Sequence, residues 1–334
     1  MATIKDIAAK LGVSISTVSK GLHGASDISE DMRQQVLDTA ISLGYIVKDR
    51  KAIERHKVCI MVENMDYANI NQFGYELITG FRLMAQEQQF QVDIIPMDIY
   101  TQTTQSYDTF MKQNSYSGAF FLGFEMNDLY LQQLTHTTIP TVLFDNYVAN
   151  KHVAYLGTDN NLGAKALIEH LYHNGHRRIA ILNGSATSYV SNIRCNVLMK
   201  EMKEFGIEVS EELIGNGINF QPETIRACIP HFVTAGATAI VCASDLIAAA
   251  AIHEVHRLGL RVPDDISITG FDDLPIAKYL APPLTTIRQE RFTLGKSAFT
   301  LLSQLISGTP VSTVLYHSEL VIRESVAQIN SSKK

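Results

Sequence analysis

The chain has 334 residues, 46% of them hydrophobic and 19% charged, with 20 glycines and 9 prolines. This is the balance of a folded globular protein rather than a disordered or low-complexity one, and the length exceeds what one core accommodates. No apolar run reaches the roughly 18 residues a membrane span needs. The first residues, Met1 to Asp6, carry no basic segment followed by a hydrophobic one, so neither a membrane anchor nor a secretory signal is expected.

A net charge of −6 argues against a nucleic-acid binder when the chain is taken whole, but the charge is unevenly spread. Residues 1–57 hold nine Lys/Arg against seven Asp/Glu, which leaves −8 on the remainder. The surplus sits in Lys48, Arg50, Lys51, Arg55 and Lys57, a modestly basic end on an acidic body. A solvated linker would carry the same charges. Cys59, Cys195, Cys228 and Cys242 have no paired spacing and read as reduced core thiols of a cytoplasmic protein.

Ile4, Ile7, Ala8 and Leu11 recur at i, i+3, i+4 and i+7, one stripe of a short helix. Thr3 and Asp6 form a capping-box pattern in front of it, and Gly12 stops it. Ser14 can cap a second helix with Val18 and Leu22 inward. Ser29 opens a third, with Glu30 and Asp31 in its first turn, Met32, Val36, Ala40 and Leu43 inward, and Gly44 closing it. Two short helices around a Gly-containing turn make a helix-turn-helix, whose second member lies in the DNA major groove. An ordinary helical hairpin in a core has the same spacing. The outward residues favour the first reading: Ile15, Ser16, Thr17, Ser19 and Lys20 are small or polar and let the backbone approach phosphates, and a capped N-terminus attracts an anion.

From Val58 the pattern changes to short apolar strands between helices. Val58–Val62, Val92–Ile95, Ala119–Leu122 and Thr141–Phe144 form one series of near-continuously apolar strands, as buried parallel strands are. Helices are expected over 73–88, 104–113 and 128–134. Ile179–Leu182, Ala239–Cys242 and Ile266–Thr269 form a second series, with helices near 161–173, 191–205, 222–234 and 245–258. Two successive series imply two doubly wound lobes of the α/β class.

Ligands of such sheets bind beyond the carboxyl ends of the strands, and two facing lobes turn those ends toward one cleft. The residues at such ends are Glu63, Asn64, Phe73, Asp145, Asn146, Tyr189, Arg194, Phe220, Ser244 and Asp272. Carboxylates and amides share hydrogen bonds with hydroxyls, and an aromatic face packs on the apolar side of a pyranose. The mixture suits a sugar; taken singly, each residue also suits a capped turn or a core aromatic.

Other chemistries lack their residues. His170, His173 and His176 diverge around a helix with no Cys or carboxylate cluster to complete a metal shell, and read as solvated helix-end histidines. Asn183-Gly-Ser-Ala-Thr187 lacks the second glycine of a nucleophile elbow. After Val62 comes Glu63-Asn-Met-Asp-Tyr67, with none of the glycines of a dinucleotide fingerprint. Asp272-Asp273 could serve acid-base work but follow a strand end. No catalytic constellation, metal site or cofactor site is expected.

Several of these segments together resemble the LacI/GalR (lactose-repressor) family of bacterial transcription regulators. The resemblance is carried by Thr3 to His23, Arg33 to Leu37 and Leu43 to Ile46 at the N-terminus. It continues through Gly157 to Gly163, Gly175 to Ala180, Pro263 to Asp273 and Pro283 to Ile287, and so covers nearly the whole chain. It implies an N-terminal all-α helix-turn-helix headpiece (1–46), a hinge (47–57) and a two-lobed, periplasmic-binding-protein-like body (58–330). Lobe 1 would span about 58–157 and 289–317, and lobe 2 about 158–288 and 318–330, joined by three crossovers. In this family the hinge folds on DNA and wedges an apolar side chain into the minor groove. Here the usual proline is Val47, and Ile53 is the one wedge candidate, so a flexible tether is the competing expectation. The tail, Gln328 to Lys334, has no leucine heptads of the kind that make tetramers.

The resemblance further implies a cytoplasmic homodimer, a repressor in the expected case, that binds near-palindromic double-stranded operator DNA and responds to a small effector. Ile15, Ser16 and Lys20 fall at the family's base-reading positions, with Lys20 suited to a guanine edge and Ile15 to a thymine methyl. Thr17 and Ser19 suit phosphates, and Thr3, Ser14 and His23 complete the expected DNA-facing set. Phe73, Asp145, Arg194, Phe220 and Asp272 match effector-contacting positions, the two phenylalanines through an alignment that depends on gaps. A sugar is the expected effector. A sugar acid, a phosphosugar or a purine is the alternative, and a transport-type solute-binding protein is the rival for the body.

Overall fold

The computed structural model describes residues 3–23, 28–43 and 56–329. The chain separates into two compact units, 1–55 and 56–334. Gly44 and the stretch of the expected hinge up to residue 55, with Ile53, lie outside the described residues.

The first unit holds α1 (Ile4–Leu11), α2 (Ile15–His23) and α3 (Glu30–Ser42). Its core is Ile7, Ala8, Val18, Val36 and Ala40, flanked by Ile4, Leu11, Val13, Leu22, Met32 and Leu43. The inward stripes read from periodicity are therefore the ones that meet. Gly12 takes the left-handed conformation (φ +66°) and its N–H bonds back to the Ala8 carbonyl, which ends α1 in one residue. A Cβ on Gly21 would sit 3.0 Å from Val36, so glycine lets α2 and α3 pack closely.

The second unit contains two six-stranded sheets. The first is built from β1 (Lys57–Val62), β2 (Gln91–Pro96), β3 (Gly118–Leu122), β4 (Thr141–Phe144) and β5 (Val153–Asp159), with α4 (Phe73–Glu87), α5 (Ile99–Thr104), α6 (Tyr107–Gln113) and α7 (Leu129–Gln133) between them. The second uses β6 (Ile179–Asn183), β7 (Ile214–Asn216), β8 (Ala239–Cys242), β9 (Ser267–Asp272) and β10 (Thr285–Arg288). Its helices are α8 (Asn160–His173), α9 (Tyr189–Glu204), α10 (Cys228–Thr234) and α11 (Asp245–Arg257). After β10 the chain forms α12 (Arg291–Ile306), then β11 (Thr313–His317) in the first sheet and β12 (Glu319–Val321) in the second.

The strand orders are β11-β5-β4-β3-β1-β2 and β12-β10-β9-β8-β6-β7. All pairings are parallel except β10 with β12. Both lobes thus repeat one doubly wound arrangement, and the chain passes between them after β5, after β10 and after β11. Each sheet is covered on two sides. On the first, α4 and α12 contribute Leu77, Phe81, Leu294 and Phe299, while the opposite face takes Tyr107, Met111, Tyr130 and Leu131. On the second, the cores are built around Ile247, Ala251 and Phe232 on one face and Leu167, Leu171 and Leu198 on the other.

Several elements differ from the periodicity reading. The helix expected over 104–113 begins later, as α6, which Ser106 caps, and an unexpected helix, α5, precedes it, capped by Asp98 through the Thr101 N–H (2.7 Å). Ile99 and Tyr100 are exposed, so α5 has no apolar stripe to announce it. The helix expected over 222–234 is a 3-10 turn, Pro222–Ile225, followed by α10. Val92–Ile95 lies at a sheet edge and is only half-buried, which corrects its reading as a fully covered strand. β5, β7, β10 and β11 were not expected. β10 is rich in threonine, and β11 alternates between exposed and half-buried positions at its edge. His176 corrects another expectation. It is buried, with Nδ1 3.0 Å from Thr238 Oγ1 and Nε2 3.1 Å from the Ala327 carbonyl, and burial pushes it down to about 4, so it tethers the C-terminal segment as a neutral ring.

The closest backbone approach between helices is that of α4 and α12. A Cβ on Gly295 would lie 2.0 Å from the Leu77 carbonyl oxygen, and one on Gly80 2.3 Å from that of Phe292. We therefore expect Gly295→Ala to cost about 1–3 kcal/mol of body stability by overpacking. Urea unfolding followed by circular dichroism should show the lowered midpoint; an unchanged midpoint would mean the two helices have slack.

Candidate functional site

In the headpiece, the Asp6 carboxylate accepts hydrogen bonds from the Thr3 backbone N–H (2.7 Å) and hydroxyl (2.8 Å), and these bonds hold Asp6 below its ordinary value. Thr3 is engaged in the cap. Ser14 Oγ accepts from the Thr17 N–H (3.0 Å) and lies 2.9 Å from the Thr17 hydroxyl, so Ser14 opens α2 as an N-cap. The remaining expected DNA-facing residues lie along one short helix. Ile15 is 50% exposed, Ser16 and Lys20 are exposed, and Thr17 and Ser19 are half-buried. A half-exposed isoleucine in a module with so small a core is a cost in water, offset if it meets an apolar surface. His23 ends α2, and its side chain lies outside the described residues.

In the body, a cavity of about 490 Å³ lies between the lobes, within the range of small-molecule sites. Its walls are the segments that follow strands. Asn64 and Met65 come after β1, Met97 after β2, Gly123 to Glu125 after β3 and Asp145 after β4; Asn219 and Phe220 follow β7, Ser244 follows β8, and Asp272 and Leu274 stand at the end of β9. Both sheets reverse their winding at β1/β3 and β6/β8, so the cavity sits at two facing switch points. The backbone is strained there. Asn64, Asp145, Asn219, Phe220, Asp272 and Asp273 all have positive φ, between 49° and 112°. A Cβ on Gly123 (φ +77°) would lie 1.8 Å from the Glu63 carbonyl oxygen, so only glycine lets this turn pass β1.

Arg194 occupies the centre of the site and is buried. Its Nε donates to Asn160 Oδ1 (3.2 Å), Nη1 to the Ala243 carbonyl (3.1 Å) and Nη2 to Asp145 Oδ2 (3.4 Å). Its guanidinium stacks 3.7 Å from the Phe271 ring centroid. Asp272 accepts from Gln289 Nε2 (2.7 Å), and Gln289 Oε1 accepts from the Thr158 hydroxyl (2.6 Å), which joins the cavity to two of the three crossovers. Burial pushes Asp145 up to about 6, against the pull of Arg194. It also pushes Asp272 up to about 6, against Arg194 and Arg291. Asp145 Oδ1 is buried with no hydrogen-bond partner among the described residues, and a Cβ on Gly157 would lie 2.7 Å from it.

Seven of the ten expected cavity residues line it: Asn64, Phe73, Asp145, Arg194, Phe220, Ser244 and Asp272. Ser244 also caps α11 through the Ile247 N–H. Glu63, Asn146 and Tyr189 lie outside the lining. Glu63 accepts from Gln102 Nε2 (2.7 Å) and is pushed up to about 7, first by burial and then by the charge of Asp128. Asn146 is spent on the Phe124 carbonyl and the Tyr147 N–H, 3.0 Å each. Tyr189 packs edge-on to Tyr155, while its neighbours Ser188 and Val190 reach the cavity. Glu125 and Gln289 were not anticipated. Glu125 accepts from Ser185 Oγ (2.7 Å) and Thr187 Oγ1 (2.5 Å) of the other lobe. It follows the end of β3, so the strand-end rule that singled out Glu63 could also have found it. Gln289 carried no such signal.

Removing the guanidinium should leave two buried carboxylates facing each other. Arg194→Leu is expected to cost the body about 3–5 kcal/mol near neutral pH. A carboxyl with a raised folded-state value costs stability increasingly from its ordinary value of 3.8 upward and in full above the raised value, so the loss should shrink at about pH 5, where Asp145 and Asp272 hold protons in the folded state. Urea unfolding at the two pH values reads this directly, and equal losses at both would refute the electrostatic account.

A helix-turn-helix unit followed by a two-lobed ligand-cavity unit defines the class of regulators with a periplasmic-binding-protein-like body. Residues 3–47 match the description "Bacterial regulatory proteins, lacI family", and residues 168–326 match "Periplasmic binding protein-like domain". The chain is 27% identical over 339 residues to the HTH-type transcriptional repressor PurR of Vibrio vulnificus, covering 99% of this chain and 100% of that one. It is also 27% identical to the repressor CytR of Escherichia coli K12, covering 97% and 96%. Among solved structures it is similar to the transcriptional regulator CelR in complex with cellobiose, with TM-score 0.73, 25% identity, and 97% and 100% of the two chains covered. The lac repressor dimer bound to operator and an anti-inducer has TM-score 0.72 at 23% identity, covering 98% and 99%, and supports the fold. The chain thus joins a lacI-family DNA-binding domain to a periplasmic-binding-protein-like domain. Among the described residues no helix is long and apolar enough to cross a membrane.

Proposed function

We propose that this chain is a sequence-specific transcription regulator, a repressor in its basic sense, that reads a near-palindromic operator as a homodimer and changes its grip when a hydroxylated small molecule, a sugar in the first instance, fills the cleft. The observation that carries this reading is the buried Asp145–Arg194–Asp272 group on the wall of a cavity of about 490 Å³, with Phe73 and Phe220 from opposite lobes beside it. Carboxylates accept from hydroxyls, a guanidinium donates to them, and the rings cover the apolar face of a pyranose. The named relatives are repressors, and one similar regulator holds cellobiose.

Two recognition helices about one helical turn apart match a palindromic site. The ligand biases operator affinity only by its different affinity for the two states of the protein, on the order of 1–3 kcal/mol. Gln289 offers a route for that bias, since it joins Asp272 to Thr158 beside the first crossover.

Lys20→Ala should weaken specific operator binding by about 1–3 kcal/mol and relax preference at one base pair. Binding isotherms on a panel of half-site variants check this, and a uniform loss on all sequences would assign Lys20 to phosphates. Asp272→Ala should abolish the response to ligand while operator binding survives. Calorimetry with sugars that shift the thermal stability of the parent chain checks it, and undiminished ligand affinity would refute the assignment.

A further inference from the structure

We propose that the ligand of the cleft carries no negative charge: the site takes neutral or cationic hydroxylated compounds and rejects the acid and phosphate forms of the same molecules. The inference rests on the reading of the cleft as a receptor and narrows its ligand.

The cavity is lined by four carboxylates, Asp66, Glu125, Asp145 and Asp272, against Arg194 as the one cation among the described lining residues. That cation is already matched. Three of its N–H groups go to Asn160, the Ala243 carbonyl and Asp145, and its charge offsets both Asp145 and Asp272. A further guanidinium, Arg291, lies outside the lining; its Nη1 donates to the Asp272 carbonyl oxygen and its Nη2 pairs with Glu76 at 2.7 Å, which leaves a buried Nε–H without a partner among the described residues. An incoming carboxylate or phosphate would have to take Arg194 from a buried aspartate, which must then either stay ionised without a partner or take up a proton, at a cost in both cases.

Glu125 adds to the same bias. Hydroxyls of Ser185 and Thr187 satisfy its oxygens but bring no positive charge. Asp145 and Asp272 already stand at about 6 because burial disfavours their ionised forms, and a further anion would raise both again. Donors meet the opposite situation. Hydroxyl and ammonium hydrogens find carboxylate oxygens on the wall, and the N–H groups of Arg194 not used by the protein can serve a neutral hydroxyl oxygen.

The test is calorimetry on the full chain with matched sets at neutral pH: glucose, glucosamine, glucuronate and glucose 6-phosphate, the galactose series, and adenosine beside its monophosphate. Each acid or phosphate should bind at least roughly tenfold more weakly than its neutral parent, and each amine equally or more tightly, as expected for one unit charge near unmatched carboxylates. An acid or phosphate that binds more tightly than its parent would overturn the proposal. Glu125→Gln removes one wall charge; its Oε1 still accepts from one of the Ser185 and Thr187 hydroxyls, and its Nε2 can donate to the oxygen of the other. It should raise the affinity of anions relative to neutral parents by roughly tenfold, and an unchanged ratio would overturn the role given to the lining. Operator titrations with the same compounds keep the two readings apart. A neutral compound that binds without moving operator affinity defeats the receptor reading and leaves the charge rule standing; an anion that binds tightly and moves operator affinity does the reverse.

Discussion

Burying Arg194 at the seam of two lobes is the constraint on which the rest of the body depends. A guanidinium cannot leave water without both its charge and its N–H groups being met. The partners come from everywhere the seam allows: Asp145 from the first lobe, the Ala243 carbonyl from the second, Asn160 at the first crossover, and the face of Phe271 beneath. The lobes therefore share one electrostatic centre. The same group turns the cleft from a gap into a site, because satisfying Arg194 places two raised carboxylates on the cavity wall.

Around that centre the lobes also hold each other directly. Met126 N–H donates to the Thr187 carbonyl (3.0 Å), Glu125 takes the hydroxyls of Ser185 and Thr187, and Asn219 Nδ2 donates to Asn64 Oδ1 (3.1 Å). The last of these bonds joins two residues of strained turns, Asn64 and Asn219, where positive φ costs on the order of 1–3 kcal/mol per residue. The strain is tolerated because the turns aim polar side chains into the cleft. A second network, Asp273 with Arg288 and Arg323, and Arg288 with Glu319, ties the strand before one crossover to the strand after another. Ser318 Oγ donates to the Asp159 carbonyl (3.0 Å), so the third crossover is bonded to the first. The connections between lobes are thus stitched to one another as well as to the ligand wall.

Legibility in the sequence followed how local the determining physics was. The headpiece could be read because each helix carries its own stripe and cap within a dozen residues: Ile7 and Ala8 in α1, Ser14 and Val18 in α2, Val36 and Ala40 in α3. Buried parallel strands such as β3 and β8 are continuous apolar runs and were equally plain. β10 was not, since Thr285 and Thr286 are buried only because Ser325 and Asp245, far along the chain, take up their polar groups. In the cleft, the rule that ligands meet strand ends pointed to Asp145 and Asp272, which line the cavity beside Arg194 of α9. It could not say that Glu63 would turn to Gln102, that Asn146 would close a loop, or that Tyr189 would rest on Tyr155.

By itself, the order of amino acids determined the headpiece helices and the buried core strands, that a small helical module precedes two wound sheets, and which residue types stand at the ends of those strands, because these follow from spacing and side-chain chemistry over short distances. The tertiary structure alone decided which of those end residues share a cavity, that Glu125 joins them while Gln289 holds Asp272 from behind, and that the one guanidinium among the described lining residues is already paired with a carboxylate. Such facts depend on groups distant in the chain, 49 residues apart for Asp145 and Arg194 and 131 for Thr158 and Gln289, meeting in a low-dielectric space, where burial and pairing rather than residue type set charge and hydrogen bonding.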